Sequence, residues 1–214
     1  MRIAVFGATG GVGRRTVAEA LSRGHEVTAA VRDRDRFAGL PAGVRPRVGD
    51  VTDPAAVAAL SAEADVVISA VRPPEGLEHR QAAFTKALLD GVAAAPARLL
   101  VVGGAATLTV PDTGGRVLDD PRYVQRPWRA IAEASAEQHK VCRNEDRVDW
   151  VYVSPPAVLV PGERTGRYRI GGDELLVDER GESRISMEDF AVALVDEAES
   201  PRRARTRFTV AASG

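Results

Sequence analysis

The sequence predicts one doubly wound α/β domain with a Rossmann-like parallel sheet, and three observations carry that expectation. The apolar run Arg2-Ile3-Ala4-Val5-Phe6 feeds into a glycine-rich turn and then a helix pattern. Strand-like and helix-like patterns alternate through most of the chain. DVVISA at 65–70 and ARLLVV at 97–102 are near-continuously apolar, as parallel strands covered on both faces must be. The expected strand order is 3-2-1-4-5-6-7, with residues 155–185 forming a small cap on a single domain spanning 1–214.

The elements follow in order. After the first strand and a helix over 14–23, Gly24-His25 turns the chain into a second strand at 26–31 and a third at 44–48. A short helix at 54–61 leads to the fourth strand at 65–70, a long helix at 76–94 and the fifth strand at 97–102. A loop punctuated by Pro111, Gly114, Gly115, Pro121 and Pro127 precedes a helix at 128–147 and a sixth strand at 149–153. Prolines and glycines then break the chain into short pieces, with a hairpin expected at 168–177 around Gly171-Gly172-Asp173. Ser186-Met187-Glu188-Asp189 has the form of a capping box for a helix to residue 199, and a final strand spans 206–211.

Composition narrows the function. A net charge of −1 leaves no electrostatic footprint for nucleic acid or an anionic membrane surface, so the expected partner is a small molecule. Cys142 is the only cysteine, which rules out an intrachain disulfide and a cysteine metal cluster. His25, His79 and His139 are scattered, so no metal site is expected. The first strand begins at Arg2 and no apolar stretch reaches membrane-spanning length, so a cytoplasmic monomer or homodimer is expected.

Gly7-Ala8-Thr9-Gly10-Gly11-Val12-Gly13 carries the chemistry. Gly7 permits a sharp turn off the strand, Gly10 lets backbone approach a pyrophosphate, and Gly13 lets the helix pack on the strand. The free N–H groups and positive dipole end at residues 11–13 would face phosphate oxygens. In dinucleotide folds the residue closing the second strand, roughly 20 positions past the glycines, reads the adenosine ribose. Here Arg32 follows the apolar strand, and its planar fork suits a 2′-phosphate, which favours NADP(H). Asp33 next to it keeps NAD(H) open.

GATGGVG, then VVGGAATL, DWVYVSPPAVLVPGERTGRYRIGG and SRISMEDFAVALVDE resemble the NAD(P)H-binding, NmrA-like branch of the atypical short-chain dehydrogenase/reductases. That branch includes biliverdin-IXβ and flavin reductase-like proteins. The resemblance covers essentially the whole chain. It implies adenine contacts at Asp50 and Val51, and ribose and backbone contacts at Ala70 and Val71. It further implies that Gly104, Pro155 and Pro156 lie on the nicotinamide side, and Thr107 is the nearest hydroxyl to the loop serine of related proteins. Thr107 is therefore the candidate to bond a substrate carbonyl.

Many short-chain dehydrogenases use a Tyr-x-x-x-Lys pair on one helical face for proton transfer. Residues 127, 156 and 172, four past Tyr123, Tyr152 and Tyr168, are Pro, Pro and Gly, so no such pair exists. The two positions would fall near Ile131 and Ser135; Lys140 stands off that face, and His139 reads as a packed or surface residue. Members of the branch lacking the pair pass hydride directly to flavins, biliverdin or quinones, or bind cofactor as redox sensors. The expectation is an NADPH-dependent oxidoreductase acting on a small conjugated acceptor. A non-catalytic NADP(H) sensor and an epimerase or dehydratase remain the alternatives.

Overall fold

The structure, a computed structural model, describes residues 1–213. Strand β1 (Arg2–Phe6) runs into helix α1 (Gly11–Ser22), followed by β2 (Glu26–Val31), β3 (Arg45–Val48), α2 (Pro54–Ala62), β4 (Val66–Ser69) and α3 (Gln81–Val92). Next come β5 (Arg98–Val102), α4 (Arg129–Arg143), β6 (Trp150–Ser154), β7 (Val158–Val160), β8 (Tyr168–Gly171), β9 (Arg184–Ser186), α5 (Met187–Glu199) and β10 (Thr206–Ala212).

The main sheet has the order β3-β2-β1-β4-β5-β6-β10-β8. Its first seven strands are parallel and reproduce the expected order, with β10 as the seventh. The eighth strand is a correction. Instead of folding back on 174–177, Tyr168 to Gly171 pair antiparallel with Ala212 to Thr209. Residue Glu174 makes only an isolated bridge, to Thr109. Without β8 the seven-residue β10 would be the open edge of the sheet; pairing leaves the four-residue β8 as a shorter one. Part of the expected cap is thus built into the sheet, while β7 and β9 form a separate parallel pair.

Alternation along the strands fixes the two layers. Ile3 and Val5 face the core made with α1 and α5, where Val17, Ala20, Phe190 and Leu194 are buried. Their neighbours Ala4 and Phe6 face the second core, closed by Val57 and Leu60 of α2 and by Leu88, Leu89 and Val92 of α3. A third cluster of Leu108, Val110, Val117 and Leu175 packs under the long connection after β5.

Helix limits follow local chemistry. α3 begins later than expected because Gly76 has φ +82° and residues 78–80 form a 3₁₀ turn. Asp53 caps α2 by accepting from the Ala55 N–H, with Pro54 in the first turn. The Ser186 hydroxyl accepts from Asp189 N–H at 3.0 Å, so the serine cap ahead of α5 forms as expected. Both cores are therefore held by elements whose strand ends converge on one edge of the sheet, where the connections after β1, β4, β5 and β6 meet.

Candidate cofactor and acceptor cleft

The glycines of the first turn do different work. Gly7 adopts φ +78°, and a Cβ there would lie 2.5 Å from the Ala70 carbonyl oxygen. A Cβ on Gly13 would lie 2.0 Å from the Gly7 oxygen, so both glycines are demanded by close backbone packing. Gly10, the N-cap of α1, has ordinary dihedrals (φ −76°, ψ 172°). A Cβ on it would meet only the Gly7 oxygen, at 3.2 Å. Its missing side chain leaves space open toward the cleft. Helix α1 has no side-chain cap and no acidic residue in its first turn, so its N–H groups and dipole are available to an anion.

A cleft of about 810 Å³ crosses the C-terminal edge of the sheet at this point. It is lined by Gly7, Thr9, Gly10, Gly11 and Val12, and by Arg32, Asp50, Val51, Ala70, Val71, Gly104, Pro155 and Pro156. Gly13 lies beneath the lining as packing. The position of the cleft is that of ligand sites in open parallel sheets. A dinucleotide fits the residues present: a bare glycine backbone at a helix N-terminus, cations at one end, and apolar walls at the other.

At the β2 end, Arg32 and Arg36 both line the cleft and are exposed, and neither has a carboxylate partner among the described residues. Asp33 does not line it; its carboxylate accepts from the Asp35 N–H at 3.0 Å and caps the 3₁₀ turn Arg34–Gly39. That turn carries Arg36 round to the cleft, which sequence spacing alone did not show. Asp50 accepts from both the Thr52 N–H and hydroxyl, at 2.9 and 2.8 Å, through a single oxygen.

On the β5–β6 side, Ile131 and Ser135 line the cleft where a Tyr-Lys pair would stand. The Ser135 hydroxyl donates to the Ala132 carbonyl at 2.8 Å. Lys140 is exposed and pairs with Glu137 at 3.5 Å. Behind this wall stands Tyr152, fully buried. Its hydroxyl accepts from the Gly104 N–H at 3.0 Å and points its proton between the Ser135 carbonyl (3.0 Å) and Gln138 Oε1 (3.2 Å). A Cβ on Gly103 would sit 2.1 Å from the Tyr152 ring, so the Gly-Gly loop is pressed onto that ring. Burial raises the Tyr152 pKa, which keeps the phenol neutral.

Thr107 departs from expectation. It does not line the cleft; its hydroxyl accepts from Arg207 Nη1 at 2.6 Å and faces His139 Nδ1 at 3.1 Å. The Thr107 hydroxyl is thus held between Arg207 and His139 inside the fold, away from the cleft lining. His139 is buried with its ring 4.7 Å from that of Tyr152. Burial, assisted by Arg207 and Arg143, pushes its pKa down to about 4. Trp128, unremarked in the sequence, lines the cleft and is 60% exposed.

Residues 7–200 match the model of a family described as NAD(P)H-binding. The chain belongs to that NAD(P)H-binding family. Among solved structures, a proposed exported protein of Burkholderia pseudomallei is 42% identical with TM-score 0.88, covering 99% of each chain. A proposed NADH-flavin reductase of Streptococcus pneumoniae is 30% identical with TM-score 0.86 over the full length of both chains. A 3-diazoavenalumate denitrifying reductase of a Streptomyces species is 35% identical over 195 residues, which cover 83% of this chain and 62% of that protein. The family model starts at Gly7 and so takes in the whole glycine turn of this NAD(P)H-binding chain. No helix among its described residues is long and apolar enough to cross a membrane.

Proposed function

We propose that this NAD(P)H-binding protein is a cytoplasmic, NADPH-dependent reductase that delivers hydride to a small, flat, conjugated acceptor such as a quinone or flavin. The observation that carries the reading is the wall at Ile131 and Ser135, which presents neither a tyrosine nor a lysine; the one tyrosine that lines the cleft, Tyr123, donates its hydroxyl to the Gly181 carbonyl at 3.3 Å. An acceptor that needs a protein acid to take up hydride would find none there. A conjugated ring spreads the added electron pair over its own atoms and takes its proton from water reaching the open cleft. When bound, the nicotinamide supplies the hydride, two electrons and one proton, and one further proton from solvent completes the reduced acceptor.

The chain's own residues would hold the two reactants. The N–H groups at the start of α1 would take the pyrophosphate, and Arg32 and Arg36 the 2′-phosphate. Tyr152 and Ser135 hold the Gly103-Gly104 loop as one wall of the reacting end. The similarity to reductases in Streptococcus and Streptomyces supports the reaction class. The test is NADPH oxidation against a panel of quinones, flavins and simple carbonyls. Turnover restricted to conjugated acceptors is expected. Tight NADPH binding with no turnover on any of them would overturn the reading in favour of a non-catalytic sensor, and turnover of simple ketones would demand an acid that this wall lacks.

A further inference from the structure

We propose that Met187 is an oxidation site at the phosphate end of the cleft, and that its sulfoxide shuts out the dinucleotide. The proposal rests on the reading that the glycine turn holds the cofactor's pyrophosphate, and adds a modification to that same site. The first turns of α1 and α5 are tied together: Arg15 Nε donates to Glu188, and Arg15 Nη1 donates to the Gly11 carbonyl at 2.8 Å. Met187, the first residue of α5, is thereby brought over Gly11, the first residue of α1. A Cβ on Gly11 would lie 3.0 Å from Met187 Sδ and 3.3 Å from its Cε, so the thioether fills the space that a side chain there would take. Met187 is half-buried and lines the cleft, which opens it to a small oxidant.

A thioether is a weak acceptor and competes poorly with phosphate for an N–H. Hydrogen peroxide changes that by transferring one oxygen atom: a sulfur lone pair attacks the peroxide, the O–O bond breaks, and water leaves. The sulfoxide carries a strongly polar S–O bond whose oxygen is a good acceptor, on a side chain already resting on the α1 N-terminus. No side chain caps that end, and its N–H groups and dipole favour negative charge. The new oxygen takes up N–H donors that a pyrophosphate needs. The proposed reaction supplies the oxidant, because a reduced quinone or flavin returns two electrons and two protons to dioxygen and gives hydrogen peroxide. The other sulfurs do not compete at this site. Cys142 is fully buried, and burial, with Glu145, pushes its thiol up to about 12, so it offers no thiolate. Met1 does not line the cleft.

The chain has only two methionines, so each can be followed by peptide mass spectrometry. The protein, free and saturated with NADP⁺, is treated with hydrogen peroxide. NADP⁺ should slow oxidation of Met187 several-fold and leave that of Met1 unchanged. Once Met187 is fully oxidised, NADP⁺ affinity by calorimetry should fall roughly tenfold or more, with circular dichroism unchanged. Methionine sulfoxide reductases A and B together should restore it. In Met187→Leu, which keeps the apolar volume, the same treatment should leave that variant's NADP⁺ affinity where it was. Four results would each overturn the proposal: an oxidised wild type that binds NADP⁺ as before, a loss of ellipticity on oxidation, an equal loss of affinity in treated Met187→Leu, or oxidation of Met187 that NADP⁺ does not slow. Failure of the untreated protein to bind NADP⁺ would instead sink the cofactor reading itself.

Discussion

Gly10 and Gly13 differ in what a methyl group would meet, and the difference separates binding from folding. At Gly13 a Cβ would lie 2.0 Å from backbone that cannot withdraw, so Gly13→Ala should give little folded protein. At Gly10 the nearest atom is 3.2 Å away, so Gly10→Val should fold with near wild-type circular dichroism and lose measurable NADPH binding. Arg32 tests cofactor choice: a charge-assisted bond to a 2′-phosphate is worth about 1.5–3 kcal/mol, so Arg32→Ala should cost NADPH roughly tenfold or more in affinity. NADH should lose only adenine stacking, about threefold. Equal losses by calorimetry would show that Arg32 does not read the phosphate. Tyr152→Phe removes the acceptor of the Gly104 N–H while keeping the ring that fills its pocket. Because the freed loop borders the reacting end and not the adenosine end, kcat should fall about tenfold with NADPH affinity nearly unchanged. A purely structural role would instead lower the melting temperature and leave kcat alone.

At the scale of elements, the Thr107–His139 bond ties the loop after β5 to α4, and Arg207 of β10 ties the same hydroxyl to the far side of the sheet. Burial and the nearby Arg207 and Arg143 keep the His139 imidazole neutral. His139 has a folded-state pKa near 4, below its ordinary 6.5, so the unfolded chain takes up the proton first as pH falls. Its contribution to stability is full above pH 6.5 and drains away between 6.5 and about 4. The loss by pH 5 should be on the order of 1–2 kcal/mol. Urea unfolding at pH 7.5 and pH 5 reads this directly. His139→Gln should be less stable than wild type at pH 7.5 and should lose less on acidification, because other groups titrate equally in both proteins. Parallel pH dependence in the two proteins would show that His139 is protonated freely in the fold.

For the whole molecule, the cleft draws on connections after β1, β2, β4, β5 and β6, so a bound cofactor should brace both layers at once. NADPH at a hundredfold excess over its Kd should add about 2.7 kcal/mol, raising the melting temperature by roughly 5–10 °C for a chain of this size. Gly10→Val should abolish that rise. Differential scanning fluorimetry with and without NADPH is sufficient, and an equal rise in the variant would place the ligand elsewhere.

The strand and helix pattern, the glycine turn and the arginine closing β2 were legible in the sequence, because each depends on neighbours within a few residues; the strand order followed from the fold class that this pattern selects. Burial on both faces writes itself into apolar runs such as VVIS, and a turn from strand to helix writes itself into glycine. The absence of a Tyr-Lys pair was equally legible, being a matter of spacing. Only the tertiary structure decided the remainder. β8 crosses to β10 because an open sheet edge is a long-range demand that no local pattern records. Arg36 reaches the cleft and Asp33 does not because a 3₁₀ turn rotates one in and uses the other as a cap. Thr107 is withdrawn from the site by Arg207, a hundred residues away, and Trp128 enters it although nothing around it in sequence marks it as a ligand residue. Local propensity set the elements; the competition for hydrogen-bond partners and burial between distant segments set which side chains face the cleft.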